Sequence, residues 1–556
     1  MTLAAASFLT LPDYAMIAVY LIGTIGLGLW IGRRMHTGAD FFLGGRQLPW
    51  WAIGMSLVAT DIGGTDIIGV GGAAYTHGLA VANFEWIGCV PAMIVAAFVF
   101  IPFLYRTGVY TVPEYLERRY NAGVRSVMAV CWLLFMACNL GIMLLASAKM
   151  TSTMFGWNES ACIWATAGLV GFYTCAGGLA AVVYTDVIQC SVMIAGCLLV
   201  LVFGLFHVGG FSGLQERLRD VEARQSAAAT GGSRDRLEAS GSSLDRSEQT
   251  PRGASGAEAI PAEQVRERTQ LILPVDTQTP FPWTGIYFGL ALILSPAYWI
   301  GNQAIIQRSL GARSEFEAKA SYIWGALLKN IIPVIIAVPG LIAVATFPDL
   351  DNGDQAIPRL VGELLPTGLR GLFVAAFLAA LMSSIDSYLN SAATIVSNDL
   401  YKRFVNPSVT PERLLTIGRM TTLGFVVWAV VFAFLLTRMS EASGIYAIFQ
   451  TLMAFFQGPA LAILLTGILW RRATAPAALI ALVCGILTSI SLYALTQPAV
   501  CQGLGILPLF RIQEPFLYFS VWAFVVTFSL LVLLSFLTKP ESAEKTSLTA
   551  SWRGNR

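Results

Sequence analysis

A chain of 556 residues that is 56% hydrophobic and only 12% charged has about half the charge of soluble domains, which carry roughly 25%, so its composition points to a membrane. With 35 basic against 33 acidic residues the net charge is +2, and no basic field suggests a nucleic-acid partner. The three histidines are far apart and the nine cysteines follow no CxxC or zinc spacing, which argues against a histidine-rich metal centre and reads the cysteines as small buried residues.

A bilayer core of roughly 30 Å needs about 20 apolar residues per helix. Thirteen such runs are predicted, near 12–32, 49–75, 83–105, 126–155, 159–177, 179–208, 283–308, 320–347, 366–400, 411–437, 443–470, 474–496 and 515–537. The first has no basic stretch ahead of it, so it reads as a retained span and not a cleaved signal. The expected fold class is an all-α integral membrane protein of about 13 transmembrane helices, with a transporter domain over 12–538 and a tail over 539–556. Residues 210–280, rich in Ser, Ala, Gly and charge, read as a flexible, extracellular or periplasmic insertion.

Orientation follows from basic residues in short connections. Every second connection carries them: Arg33, Arg34 and Arg46; Arg106, Arg118, Arg119 and Arg125; Arg308, Arg313 and Lys319. The pattern continues with Lys402, Arg403, Arg413 and Arg419, then Arg471 and Arg472, and the tail. The alternate connections are nearly free of them, and one reads PDLDNGD. The expectation is a multi-pass protein of the cell membrane with its N-terminus outside and its C-terminus in the cytoplasm.

The informative residues are polar ones at membrane depth. Asp61 and Asp66 lie within ATDIGGTDIIGVGG in the second run, Glu85 opens the third, and Asp186, Lys329 and Asp386 lie in the sixth, eighth and ninth. Five unpaired carboxylates at mid-bilayer would cost about 12–17 kcal/mol, so they are expected to face a cavity or pair with cations. Gly63 and Gly64 weaken the second helix between its two aspartates. Unwound backbone at that depth is tolerated where it lines a cavity, and its freed carbonyls can hold an ion. The neighbouring Gly69, Gly71 and Gly72 fit close helix packing equally well. In AALMSSIDSYLNSAAT, Ala380, Ser383 and Ser384 share one helical face, with Ser383, Asp386 and Ser387 one turn on. This stripe offers the oxygen ligands a hard cation needs; a small-residue packing seam is the bland alternative, which Asp386 makes the weaker one.

With GGRQLPWWAIGMSLVATDIGG (44–64), ANFEW (82–86), GVYTVPEYLERRY (108–120), GGLAAVVYTDVIQ (177–189), YWIGNQAIIQRSLGA (298–312), AALMSSIDSYLNSAATIVSNDLYKR (379–403) and the segment from Gln450 to Pro459, the chain resembles the sodium:solute symporters, and among them the sodium/glucose cotransporter branch. The resemblance implies a five-plus-five inverted-repeat core, about 49–208 and 283–470, whose repeats each begin with a broken helix, the second breaking at Pro296. It implies a sodium site of the Ala59, Ile62 and Ala380 carbonyls with the Ser383 and Ser384 hydroxyls. A possible second cation site falls on Asp186, Asp386 and Ser387, with Ser383 shared. Solute contacts fall on Asp61, Asp66, Glu85, Ser295, Tyr298, Lys329 and Gln450, where Glu85 with Lys329 reads equally as a structural ion pair.

Sodium is the one ion implied, and no other cofactor or catalytic group is expected. The expected function is sodium-driven symport of a sugar or polyol by alternating access. Asp61 and Asp66, where the family usually has asparagine and histidine or glutamine, leave room for an aminated or cationic solute. A proton is the alternative coupling ion. A membrane sensor is disfavoured because 539–556 gives no room for an output domain, and the oligomeric state is left open.

Overall fold

The computed structural model describes residues 8–32, 43–176, 179–224, 268–277, 279–437, 445–507, 509–510 and 515–550. Among these the regular structure is helical, apart from two isolated bridges, Leu48 with Ala312 and Leu273 with Pro282. In chain order the long helices are α1 Leu11–Gly32, α2 Trp50–Asp61, α3 Gly64–His77, α4 Leu79–Thr107, α5 Ala122–Phe155, α6 Glu159–Ala176 and α7 Leu179–Val208. They continue with α8 Gly285–Gly301, α9 Gln303–Leu310, α10 Glu315–Thr346, α11 Leu369–Val405, α12 Pro411–Thr437, α13 Ile445–Leu469, α14 Ala475–Ala494 and α15 Phe516–Leu537.

Two pairs are single apolar runs bent at a short break: α2 with α3 by 55°, and α8 with α9 by 51°. Each bent pair opens a set of five, the first closing with α4 to α7 and the second with α10 to α13. Among the described residues ten helices are long and apolar enough to span, or twelve if each bent pair counts as one. The remaining expected run, 159–177, is helical as α6 but is not among those ten or twelve; counted by its place in the first set of five, it would bring the number to the expected thirteen.

The bilayer replaces water as the outer solvent, and burial follows that rule. α11 is buried along nearly its whole length at the centre, while α1, α12 and α15 turn most of their surface outward. Val19, Leu423, Val427, Phe528 and Leu533 are among the large apolar side chains left exposed there, as lipid contact requires. Some of the charged groups inside are satisfied locally. Arg119, wholly buried, donates to the carbonyls of Gly467, Trp470 and Ala473 at 2.9–3.1 Å and so caps the C-terminal end of α13. Arg125 pairs with Glu117 at 2.5 Å and Asp399 at 2.6 Å. Of the basic residues used to orient the chain, Arg119, Arg125 and Arg308 are therefore buried rather than in open loops.

Two further expectations change. The second break lies at Asn302, six residues beyond Pro296, and the Asn302 side chain accepts the Ala304 N–H at 3.0 Å to start α9. Pro296 opens the α-helical end of α8 after π-helical Gly285–Leu294, where the wider turn accommodates a residue with no N–H. The flanks of the 210–280 segment are also folded. Residues 210–224 are helical, and Arg268 and Leu273 are buried, with the Arg268 carbonyl accepting the Leu79 N–H at 2.7 Å. Residues 225–267, the rest of that expectation, lie outside the described residues.

α13 and α15 meet at Gly458, where an added Cβ would stand 2.4 Å from the Ser520 carbonyl oxygen. Gly458→Ala should force these helices apart at a cost of about 1–3 kcal/mol, read as a lower thermal unfolding midpoint in detergent.

Candidate functional site

The end of α2 supplies the first element of the site. Ile62 keeps its N–H on the Val58 carbonyl at 2.8 Å, but its backbone leaves the helix there and Gly63 is extended. The Ala59, Thr60 and Asp61 carbonyls thus close the helix without a following turn, at the negative end of its dipole. Across from them, the Ser384 hydroxyl of α11 donates to the Thr60 carbonyl at 3.0 Å and lies 3.5 Å from that of Ala59. The approach needs a glycine: a Cβ on Gly63 would stand 2.7 Å from the Ser384 Oγ. Ala59, Ile62, Ala380, Ser383 and Ser384 are all buried together. The carbonyl and hydroxyl oxygens on the α2 end and on Ser384 are hard ligands of the kind a small monovalent cation takes.

Ser383 faces the other way and donates to Asp186 Oδ1 at 2.6 Å. Asp186 Oδ2 accepts from Ser56 at 2.5 Å and lies 3.5 Å from an Arg308 Nη2. Arg308, with 1% of its surface exposed, also donates through Nε to Ser56 at 2.6 Å, through Nη2 to Ser387 and through Nη1 to the Ala304 carbonyl. Thr60 closes the network with a 3.0 Å hydroxyl contact to Ser387. Asp386, expected to join Asp186, instead accepts from Thr174 of α6. The expected second cation site is therefore divided, and a guanidinium fills the place between Asp186 and Ser387 that a bound cation would take.

One turn above the break, a cavity of about 710 Å³, counted to its open mouth, lies between the two bent helices, α4 and α13. Six of the residues expected to contact solute, Asp61, Asp66, Glu85, Ser295, Tyr298 and Gln450, line it. Glu85 stands on the π-helical turn Phe84–Cys89, and Asp66 accepts the Gly63 N–H at 2.9 Å in the first turn of α3. The Tyr298 hydroxyl lies 3.4 Å from that of Tyr388. Lys329 does not line the cavity. It is wholly buried behind the wall, where it pairs with both Asp61 and Glu85 and sits 5.5 Å over the Trp299 ring. The ion-pair alternative for Lys329 is the one the geometry favours. Asp61, Glu85 and Cys89 also come close enough to hold a metal, but the Lys329 ammonium already occupies both carboxylates.

The chain as a whole resembles known proteins. The family model described as the sodium:solute symporter family matches residues 41–485. The chain belongs to that family. The sodium/mannose cotransporter of Bos taurus is 31% identical to this symporter over 574 residues, covering 97% of this chain and 89% of the relative. The sodium/glucose cotransporter of Vibrio parahaemolyticus is 29% identical, covering 86% and 84%. The sodium/myo-inositol cotransporter 2 of Oryctolagus cuniculus is 30% identical, covering 96% and 78%. Among solved structures, a substrate-bound, outward-open Na⁺-coupled sialic acid symporter shares the fold, with a TM-score of 0.75 at 20% identity over 96% of this chain and 99% of that one.

Sequence reasoning missed several residues of the symporter's site. Arg308 was counted as a loop charge, although its place among Ala304, Ile305 and Leu310 already put it on an apolar helix. Gln457 lines the cavity with Phe84, Trp299, Tyr446 and Phe449. It is an amide in an apolar span, a signal the sequence offers directly, whereas Gln450 is reached only through the family resemblance.

Proposed function

We propose that this symporter carries a small polyhydroxylated solute, a sugar or polyol, into the cell with sodium by alternating access. The observation that carries the reading is the stretch from Ala59 to Asp66. Its carbonyls meet Ser384 on one side and its two carboxylates line the solute cavity on the other. Sodium held by the Ala59, Ile62 and Ala380 carbonyls with Ser384, and with Ser383 once its hydroxyl turns from Asp186, would join α2 to α11 and set the backbone that carries Asp61 and Asp66. By linkage, solute then raises sodium affinity by the factor with which sodium raises solute affinity. Sodium is favoured over a proton because the ligands at the break are carbonyl and hydroxyl oxygens, which do not titrate near neutrality.

Relatives described as sodium/mannose, sodium/glucose and sodium/myo-inositol cotransporters support the solute class. Each sugar hydroxyl both donates and accepts, and Gln450, Ser295 and Tyr298 offer both capacities to the cavity. The orientation that suits the basic connections places the N-terminus outside and the C-terminus in the cytoplasm of a cell membrane.

Gln450→Ala separates the two sites. It should raise the solute concentration for half-maximal uptake by about tenfold, while the sodium concentration for half-maximal uptake at saturating solute changes by less than about twofold. Equal shifts in both would show that Gln450 does not act at the solute site.

A further inference from the structure

The cavity holds more negative charge than a neutral sugar requires. Its charged lining consists of Asp61, Asp66 and Glu85, and no basic side chain reaches it among the described residues. Lys329 stands behind the wall as the single ammonium against these three, and its contacts go to Asp61 and Glu85. Asp66 is left with a backbone N–H as its partner, that of Gly63. A second, independent observation points to a ligand that also bears hydroxyls. Gln457 is wholly buried, borders the same cavity, and both polar atoms of its amide lack a hydrogen-bond partner. Buried amides are nearly always satisfied, so Gln457 is suited to bond a group that enters the cavity. Phe84, Tyr298, Trp299, Tyr446 and Phe449 form aromatic walls suited to an ammonium as well as to a sugar ring.

Resting on the symport reading above, we propose that the solute is a cationic amino-substituted polyol, an amino sugar in its ammonium form, with the ammonium at Asp66 and a hydroxyl at Gln457. A neutral sugar leaves the Asp66 carboxylate facing a hydroxyl in place of a positive charge. A solute bearing its own carboxylate meets two aspartates of like charge and is disfavoured.

The test uses the full chain in proteoliposomes under an inward sodium gradient, with labelled D-glucosamine and D-glucose as probes that differ only by ammonium against hydroxyl. The expected result is uptake of glucosamine at least about tenfold more efficient than of glucose, because a hydrogen bond to a charged partner is the stronger one. Asp66→Asn, which keeps the acceptor for the Gly63 N–H, should remove that preference, and Gln457→Leu should weaken uptake of both probes together. Equal or better uptake of glucose by the wild-type protein, or an unchanged preference in Asp66→Asn, overturns the proposal. Sodium-dependent thermal stabilisation, measured on the same protein in sodium against choline, distinguishes the two levels. Stabilisation by sodium without uptake of either probe rejects an amino sugar while sodium coupling stands; absence of stabilisation removes the symport reading beneath it.

Discussion

Arg308→Leu should be the most destabilising single change in the core, lowering stability by about 3–5 kcal/mol. The guanidinium is buried at the end of α9 and bonds Ser56 of α2, Ser387 of α11 and the Ala304 carbonyl, with Asp186 of α7 at 3.5 Å. Leucine restores the apolar volume but leaves Asp186 buried without its cation, and removal of one partner of a buried pair is what costs most. Removing both charges costs much less, so Arg308→Leu combined with Asp186→Asn should recover most of the loss. Thermal unfolding of the three proteins in detergent measures this directly. A single variant as stable as wild type, or a double variant no better than the single, would show that the pair does not hold these four helices together.

The second large effect is on ion coupling. Ser384→Ala removes the hydroxyl that reaches the Thr60 carbonyl at 3.0 Å and lies beside that of Ala59, leaving the carbonyls of the helix break without their hydroxyl partner on α11. The sodium concentration for half-maximal uptake should rise by about tenfold to a hundredfold, the range for a lost bond to a charged group. Because Ser384 does not line the cavity, the solute affinity measured at saturating sodium should stay near that of wild type. Normal sodium activation in this variant would remove the Ala59, Ile62 and Ala380 carbonyls, with Ser383 and Ser384, from the account.

The spans were legible because lipid imposes one rule on every outward face, and a run of about 20 apolar residues records it. The first break was legible for a related reason: Gly63 and Gly64 between two aspartates make continuous helix unfavourable at a depth where loose backbone needs a cavity. The second break was not, because Pro296 is a strong breaker in sequence, and only the π-helical turns before it show that the ring is accommodated. Asn302, a capping side chain six residues later, gives a weaker signal. The cavity carboxylates were legible because charge in an apolar run is costly wherever it occurs. Partner choice was not. Nothing in the spacing of Asp186, Arg308 and Asp386 says that the guanidinium turns inward to one aspartate while the other meets Thr174. Those pairings join helices more than 70 residues apart in the chain, and packing alone sets them.

Sodium-driven accumulation in proteoliposomes is the most direct test of the central claim, with a panel of labelled sugars, polyols and amino sugars run under an inward sodium gradient, an inward proton gradient, and potassium alone. The account predicts that at least one member accumulates above its external concentration under the sodium gradient, and that none does under the other two. Accumulation driven equally by the proton gradient, or facilitated uptake that no gradient can concentrate, would contradict it.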